Sequence, residues 1–239
     1  MKNIYLCGDS HLANMKKASM EVTGFDALPV RFLRFGQGNV VPFAFFELDE
    51  DQQKVRITAK DWEKMEFPQH PRDVADPENN IYFVTACLNT SRFLRDYSWG
   101  KYVHWQHKEK PEQIPLSDAV IKQIIEGDSR NAVAFMKAMK SVGLNVVALD
   151  SPHFQRRDPN IQAMGFDMAF KLLKMYKSHV SEQLKAAGIP VLWVPERTYG
   201  EDGAMLPKFA HEKKRDMHHS NATFGAIMLS KIFGYCDGV

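Results

Sequence analysis

The chain has 239 residues, 44% of them hydrophobic and 25% charged, the proportions of an ordinary globular protein rather than a disordered one. Lys plus Arg (31) exceed Asp plus Glu (29) by only two, too little for the concentrated basic face that nucleic acid demands, so no nucleic-acid partner is expected. A chain this long buries about 70–75% of its unfolded surface and needs neither disulfides nor a structural metal to hold a core.

The three cysteines, Cys7, Cys87 and Cys236, are odd in number and far apart, which argues against a disulfide framework or a metal-binding pair. The N-terminus runs straight into a strand pattern, without the apolar stretch and cleavage site of a signal peptide. No run approaches the roughly 18 apolar residues of a membrane span. The expectation is a soluble, cytoplasmic protein with no membrane span.

Residues 3–7 form a short apolar strand, broken by Gly8-Asp9-Ser10, and 11–22 have helical spacing. A second strand covers 30–35 and ends at Gly36-Gln37-Gly38. Residues 43–48 and 54–58 are strand-like around a polar turn, which makes a hairpin inserted at about 43–58. Residues 80–87 read as a buried strand. Helices are expected over 117–126 and 129–141, leading through Gly143 into a strand at 145–149. A long helix over 164–187 leads through Gly188 into a strand at 190–194, and 221–233 is an apolar helix. Strands alternating with helices predict an α/β fold, a parallel doubly wound sheet with helices on both faces. No linker divides the chain, so 1–239 is read as a single domain.

In such a fold, ligands bind beyond the carboxyl ends of the strands. Those ends are Gly8-Asp9-Ser10-His11, Gly36-Gln37-Gly38-Asn39, Leu88-Asn89-Thr90, Asp150-Ser151-Pro152-His153 and Glu196-Arg197. Ser10 falls where a strand gives way to a helix, and free backbone N–H groups there favour negative charge. Ser10 or Asp9 would also serve as a plain helix cap. A serine nucleophile needs a histidine to take its proton and donors for the oxyanion. Near the other end, Asp216-Met217-His218-His219-Ser220-Asn221 precedes the last helix. A carboxylate three residues before a histidine reaches its Nδ1 and leaves Nε2 as a base.

Together, Gly8-Asp9-Ser10-His11-Leu12 and Asp216-Met217-His218-His219-Ser220-Asn221 resemble the first and last blocks of the SGNH (GDSL-type) hydrolases. The resemblance spans nearly the whole chain. It implies a three-layer α/β/α, flavodoxin-like fold with a parallel five-stranded sheet. It also implies a serine esterase or acyltransferase that needs no cofactor. Carried over, Ser10 matches the nucleophile, His219 the base and Asp216 its orienting acid. The oxyanion hole would combine Ser10, Gly38 (with Gly36 as the alternative) and Asn89. The third block departs from the family pattern, with Cys87 for a glycine and Thr90 for an aspartate. His218 competes for the role of base and His11 is read as a local hydrogen-bonding residue, while Asp9 braces the turn.

His104, Trp105 and His107 lie in an aromatic and polar segment suited to stacking on sugar rings or to packing at the core edge, and His153 falls on the rim. Substrate-contact candidates are therefore His11, His104, Trp105, His153 and His218. The hairpin after the second strand and the long loop after the third resemble SGNH enzymes that act on decorated polysaccharides. They tilt the expected partner toward a small-molecule or glycan ester. Acyl transfer to a sugar hydroxyl would use the same triad. A two-metal phosphoesterase using Asp9, His11, Asn89 and the His218-His219 pair, and a non-catalytic glycan-binding domain, are the rival readings.

Overall fold

The computed structural model describes residues 2–21, 30–36, 38, 41–60, 64–69 and 71–238. Val22, Gln37 and Asn39, named above, lie outside them. The central sheet holds β1 (Asn3–Gly8), β2 (Val30–Arg34), β6 (Asn80–Leu88), β9 (Val146–Asp150) and β10 (Val191–Leu192). All five run parallel in the order β2-β1-β6-β9-β10, the flavodoxin-type winding.

Side chains alternate across these strands, which gives the sheet two dry faces. Ile4 and Leu6 of β1, Ile81 and Phe83 of β6, and Val147 and Leu149 of β9 point to one side. They are covered there by α1 (Leu12–Glu21) and by the last helix, α7 (Ala222–Asp237). Tyr5, Cys7, Tyr82, Val84 and Ala148 point to the other side, under α4 (Asp118–Ser141) and α6 (Phe166–Ala186). The short helices α2 (Pro71–Ala75), α3 (Ser91–Leu94) and α5 (Pro159–Met164) fill connections.

Two helix boundaries differ from the sequence reading. The helices expected at 117–126 and 129–141 are one. Buried Ile121, Ile125, Ser129, Ala132, Val133 and Met136 form a seam that passes straight through exposed Gly127. Burying that seam outweighs the roughly 1 kcal/mol that a glycine costs inside a helix. Conversely, the helix expected over 164–187 is broken at Gly165, whose φ of 89° separates α5 from α6.

The inserted hairpin is present as β3 (Phe46–Asp49) and β4 (Lys54–Ile57), extended by a two-residue third strand, β5 (Glu66–Phe67), too short to show in a hydrophobic pattern. In the connection after β6, β7 (Tyr102–His104) and β8 (Ile114–Leu116) pair in parallel, a pairing the sequence did not announce. No helix among the described residues is long and apolar enough to cross a membrane.

Candidate active site

The two ends of the chain meet because α1 and α7 pack side by side with their N-termini at the carboxyl edge of the sheet. Close approach requires a glycine: a Cβ on Gly225 of α7 would lie 2.3 Å from the Asn14 carbonyl oxygen of α1. Asn14 then donates from Nδ2 to Ser220 Oγ at 3.2 Å, tying the turn before α7 to α1. That turn is held further by Arg157, which donates to the Asp216 carbonyl at 2.7 Å. Gln155 donates to the His219 carbonyl at 2.8 Å. Asn221 caps α7 by accepting from Phe224 N.

Within this frame, His219 Nε2 lies 2.8 Å from Ser10 Oγ. His219 Nδ1 lies 2.8 Å from Asp216 Oδ2. Asp216 Oδ1 also accepts from the backbone N–H groups of His219 at 3.0 Å and His218 at 3.3 Å. Partial burial opposes ionisation of Asp216. The donors from His219 and His218 outweigh it and hold the carboxyl well below the usual carboxylate range. Asp216 is therefore ionised throughout the working pH range. It fixes hydrogen on His219 Nδ1 and leaves Nε2 as the acceptor facing the hydroxyl.

Asp9 organises the floor. Fully buried, it accepts from His11 N and Thr85 Oγ1 through Oδ1 and from Asn89 Nδ2 through Oδ2 at 2.6 Å. Asn89 Oδ1 accepts from Ser91 N and Ser91 Oγ, which orients the amide. Gly38 sits directly on this pair: a Cβ there would lie 2.9 Å from Asp9 Oδ2 and 3.0 Å from Asn89 Nδ2. Gly38, Asn89, Ser10 and His219 all line one cavity of about 410 Å³, whereas Gly36 does not. Neither Ser10 N–H nor Gly38 N–H has an acceptor among the described residues.

The other candidates separate. His218 lines the same cavity, its ring 3.8 Å from that of His219, and its Nδ1 accepts from Arg95 Nη1 at 3.3 Å rather than facing Ser10. Burial, with His219 and His11 adding to it, pushes the His218 imidazole down to about 4. His11 departs from its expected hydrogen-bonding role. Its ring is buried, neither nitrogen has a hydrogen-bond partner among the described residues, it packs 5.1 Å from the His219 ring, and burial lowers its pKa. Only its backbone N–H bonds locally, to Asp9.

His104 and Trp105 do not reach the cavity. Both donate to Asp118 Oδ1, at 2.9 and 3.0 Å, at the start of α4, while Trp105 remains 55% exposed. The shared carboxylate ties both rings to the first turn of α4. His153 lines a separate cavity beside the buried Lys177–Asp150 ion pair, donates to the Gly203 carbonyl at 2.8 Å and stacks on Tyr199.

Among the described residues, Asp216, His218 and His219 form the group whose ligand atoms lie close enough, within 4.8 Å, to share a metal. Its carboxylate already accepts from three N–H groups, and His218 Nδ1 is taken by Arg95, so the set is bonded to itself. Asp9, required by the phosphoesterase reading, has both oxygens engaged and no exposure.

Sequence reasoning passed over Arg34, Arg92 and Arg95, which also line the Ser10 cavity. Arg34 is the last residue of β2, two residues before the segment inspected. Arg92, three residues after Asn89, lies in α3, and Arg95, three residues further on, caps that helix at its C-terminus.

No known family model matches the chain, and no curated protein matches it in sequence. Solved structures do. An extracellular lipase from Streptomyces rimosus superimposes with a TM-score of 0.51 at 11% identity, over 98% of this chain and 99% of that one. A protein assigned as an acylhydrolase from Bacteroides fragilis gives 0.50 at 11% identity, over 99% of this chain and 87% of that one. These likenesses are of fold: the chain shares with both proteins an α/β architecture built on a parallel five-stranded sheet.

Proposed function

We propose that the protein is a single-domain SGNH-type serine esterase that hydrolyses small O-acyl esters through an acyl-enzyme. The observation that carries this reading is the relay of Asp216, His219 and Ser10, each link 2.8 Å long, assembled from opposite ends of the chain. Ser10 Oγ attacks the acyl carbonyl while His219 Nε2 takes its proton. The oxyanion that forms accepts from Ser10 N–H, Gly38 N–H and the Asn89 amide hydrogen not engaged by Asp9. His219 then delivers the proton to the departing alcohol. Water, deprotonated by the same nitrogen, releases the acid and restores Ser10.

A carbohydrate alcohol is supported by the hairpin β3–β4 after β2 and by the long connection after β6. Transfer of the acyl group to a sugar hydroxyl would proceed through the same acyl-enzyme, with the acceptor in place of water.

The test is labelling with a serine-directed fluorophosphonate. One equivalent should attach to Ser10, located by peptide mass spectrometry, and Ser10→Ala should lose both labelling and turnover of p-nitrophenyl acetate. Labelling elsewhere, or full turnover by Ser10→Ala, sinks the proposal. Turnover should persist in EDTA; inhibition restored by Mn²⁺ or Zn²⁺ would favour the phosphoesterase reading.

A further inference from the structure

Three of the nine described residues that line the Ser10 cavity are arginines. Arg34, Arg92 and Arg95 all line it, and no carboxylate does among the described residues. Two of the three are anchored from behind. Arg92 places Nε and Nη2 on Asp128 and donates from Nη1 to the Asn89 carbonyl. Arg95 places Nε on buried Asp158 at 2.5 Å. The Arg34 side chain has no hydrogen-bond or ion-pair partner among the described residues, while its backbone pairs with Gly8 in the sheet.

His218 extends the pattern. A guanidinium can only donate, so His218 Nδ1, 3.3 Å from Arg95 Nη1, must be the acceptor, and hydrogen resides on Nε2. The cavity thus presents guanidinium N–H groups and an imidazole N–H beside the nucleophile. Each hydroxyl of a neutral polyol could accept from these groups, but it carries no charge to match theirs and brings a donor hydrogen that no arginine can accept. A carboxylate, sulfate or phosphate brings only acceptors, in the planar or tripodal arrangement that guanidinium groups bind best.

We propose that the ester this site takes is anionic, with an oxyanion group held by Arg34 and Arg95 while Ser10 faces the acyl carbonyl. This rests on the esterase reading above. The anion belongs either to the alcohol, as in an acylated uronic or sulfated sugar, or to a dicarboxylic acyl group. Arg34 is the contact that distinguishes anionic from neutral substrates, because the charges of Arg92 and Arg95 are already matched.

Two pairs of esters separate the sources: 4-acetoxybenzoate against phenyl acetate, and monophenyl succinate against phenyl butyrate. The expected result is that kcat/KM favours the charged member of one pair. The preference should shrink at least tenfold in Arg34→Gln, return in part in Arg34→Lys, and weaken with added salt. Comparing each ratio between variant and parent cancels the intrinsic reactivity of the esters.

A second readout does not depend on turnover. In one of two pairs, methyl glucuronoside against methyl glucoside or monomethyl succinate against methyl butyrate, the anion should bind Ser10→Ala at least tenfold more tightly than its neutral partner, followed by chemical-shift perturbation, and Arg34→Gln should close that gap. Turnover through Ser10 with no charge preference, or with a preference indifferent to Arg34, overturns the proposal and leaves the esterase standing. Absence of turnover and of Ser10 labelling would remove the esterase, and the two binding comparisons would then decide the anion site by themselves.

Discussion

Replacing Asp216 by Asn tests the relay at its most informative joint. Asp216 Oδ1 accepts from two backbone N–H groups, at 3.0 and 3.3 Å, while Oδ2 faces His219 Nδ1 at 2.8 Å. An asparagine has one oxygen and one NH₂ to place in those two positions. With its oxygen on the backbone donors, the turn survives, but the NH₂ meets Nδ1. The ring then adopts the tautomer with hydrogen on Nε2, and Ser10 loses its proton acceptor. With the amide reversed, the ring is correct but both backbone donors face an NH₂. Each lost bond costs about 1–3 kcal/mol, so the productive arrangement lies about 2–6 kcal/mol above the unproductive one. That corresponds to a fall in kcat/KM of between about 30-fold and about 10⁴-fold, and the same substitution in a serine protease triad costs about 10⁴. The assay is hydrolysis of p-nitrophenyl acetate by parent and variant, with circular dichroism to show that the turn and α7 persist. A folded variant retaining more than a tenth of the parental activity would refute the tautomer argument.

Three further outcomes are expected. Gly38→Ala must spread the 2.6 Å Asp9–Asn89 bond to make room for its methyl group, and kcat should fall by about 10²–10³, as for loss of an oxyanion donor, with little change in KM. Gly225→Ala puts a methyl group 2.3 Å from the Asn14 carbonyl and should destabilise the protein by about 1–3 kcal/mol in denaturant titrations, lowering activity because α1 and α7 carry the two halves of the site. His218 titrates at about 4 in the fold and near 6.5 when unfolded. Between these values the unfolded chain binds more protons, so stability rises with pH across that window and is lost as pH falls through it. Thermal midpoints at pH 4.5, 5.5 and 7 should show this slope, and His218→Gln should reduce it, with buried His11 and His153, also held below the usual imidazole range, supplying the remainder.

The sequence alone determined the layered α/β architecture. Alternating apolar strands and amphipathic helices leave few other ways to bury both faces of β1, β6 and β9. Strand ends and helix starts, positions a linear pattern reveals, also drew attention to Ser10 and to the Asp216–His219 turn, while the resemblance to the SGNH hydrolases assigned the triad roles and added Asn89 and Gly38, with Gly36 as the alternative. What the sequence could not determine were relations across space. The break at Gly165 and the continuity through Gly127 depend on which residues face α6 and the sheet, and a glycine in isolation signals neither. His104, Trp105 and His153 carry suitable chemistry, but Asp118 and Gly203, distant in context or in sequence, bind their polar atoms away from the cavity. The buried His11 ring and the separation of His218 from Ser10 likewise follow from packing against His219 and from Arg95. The arginine wall is the clearest case. Arg34, Arg92 and Arg95 lie at the ends of two elements dozens of residues apart, and the overall charge of +2 hides them. Only the winding of β2 beside β1, with α3 leaving β6 on its other side, gathers them around one serine.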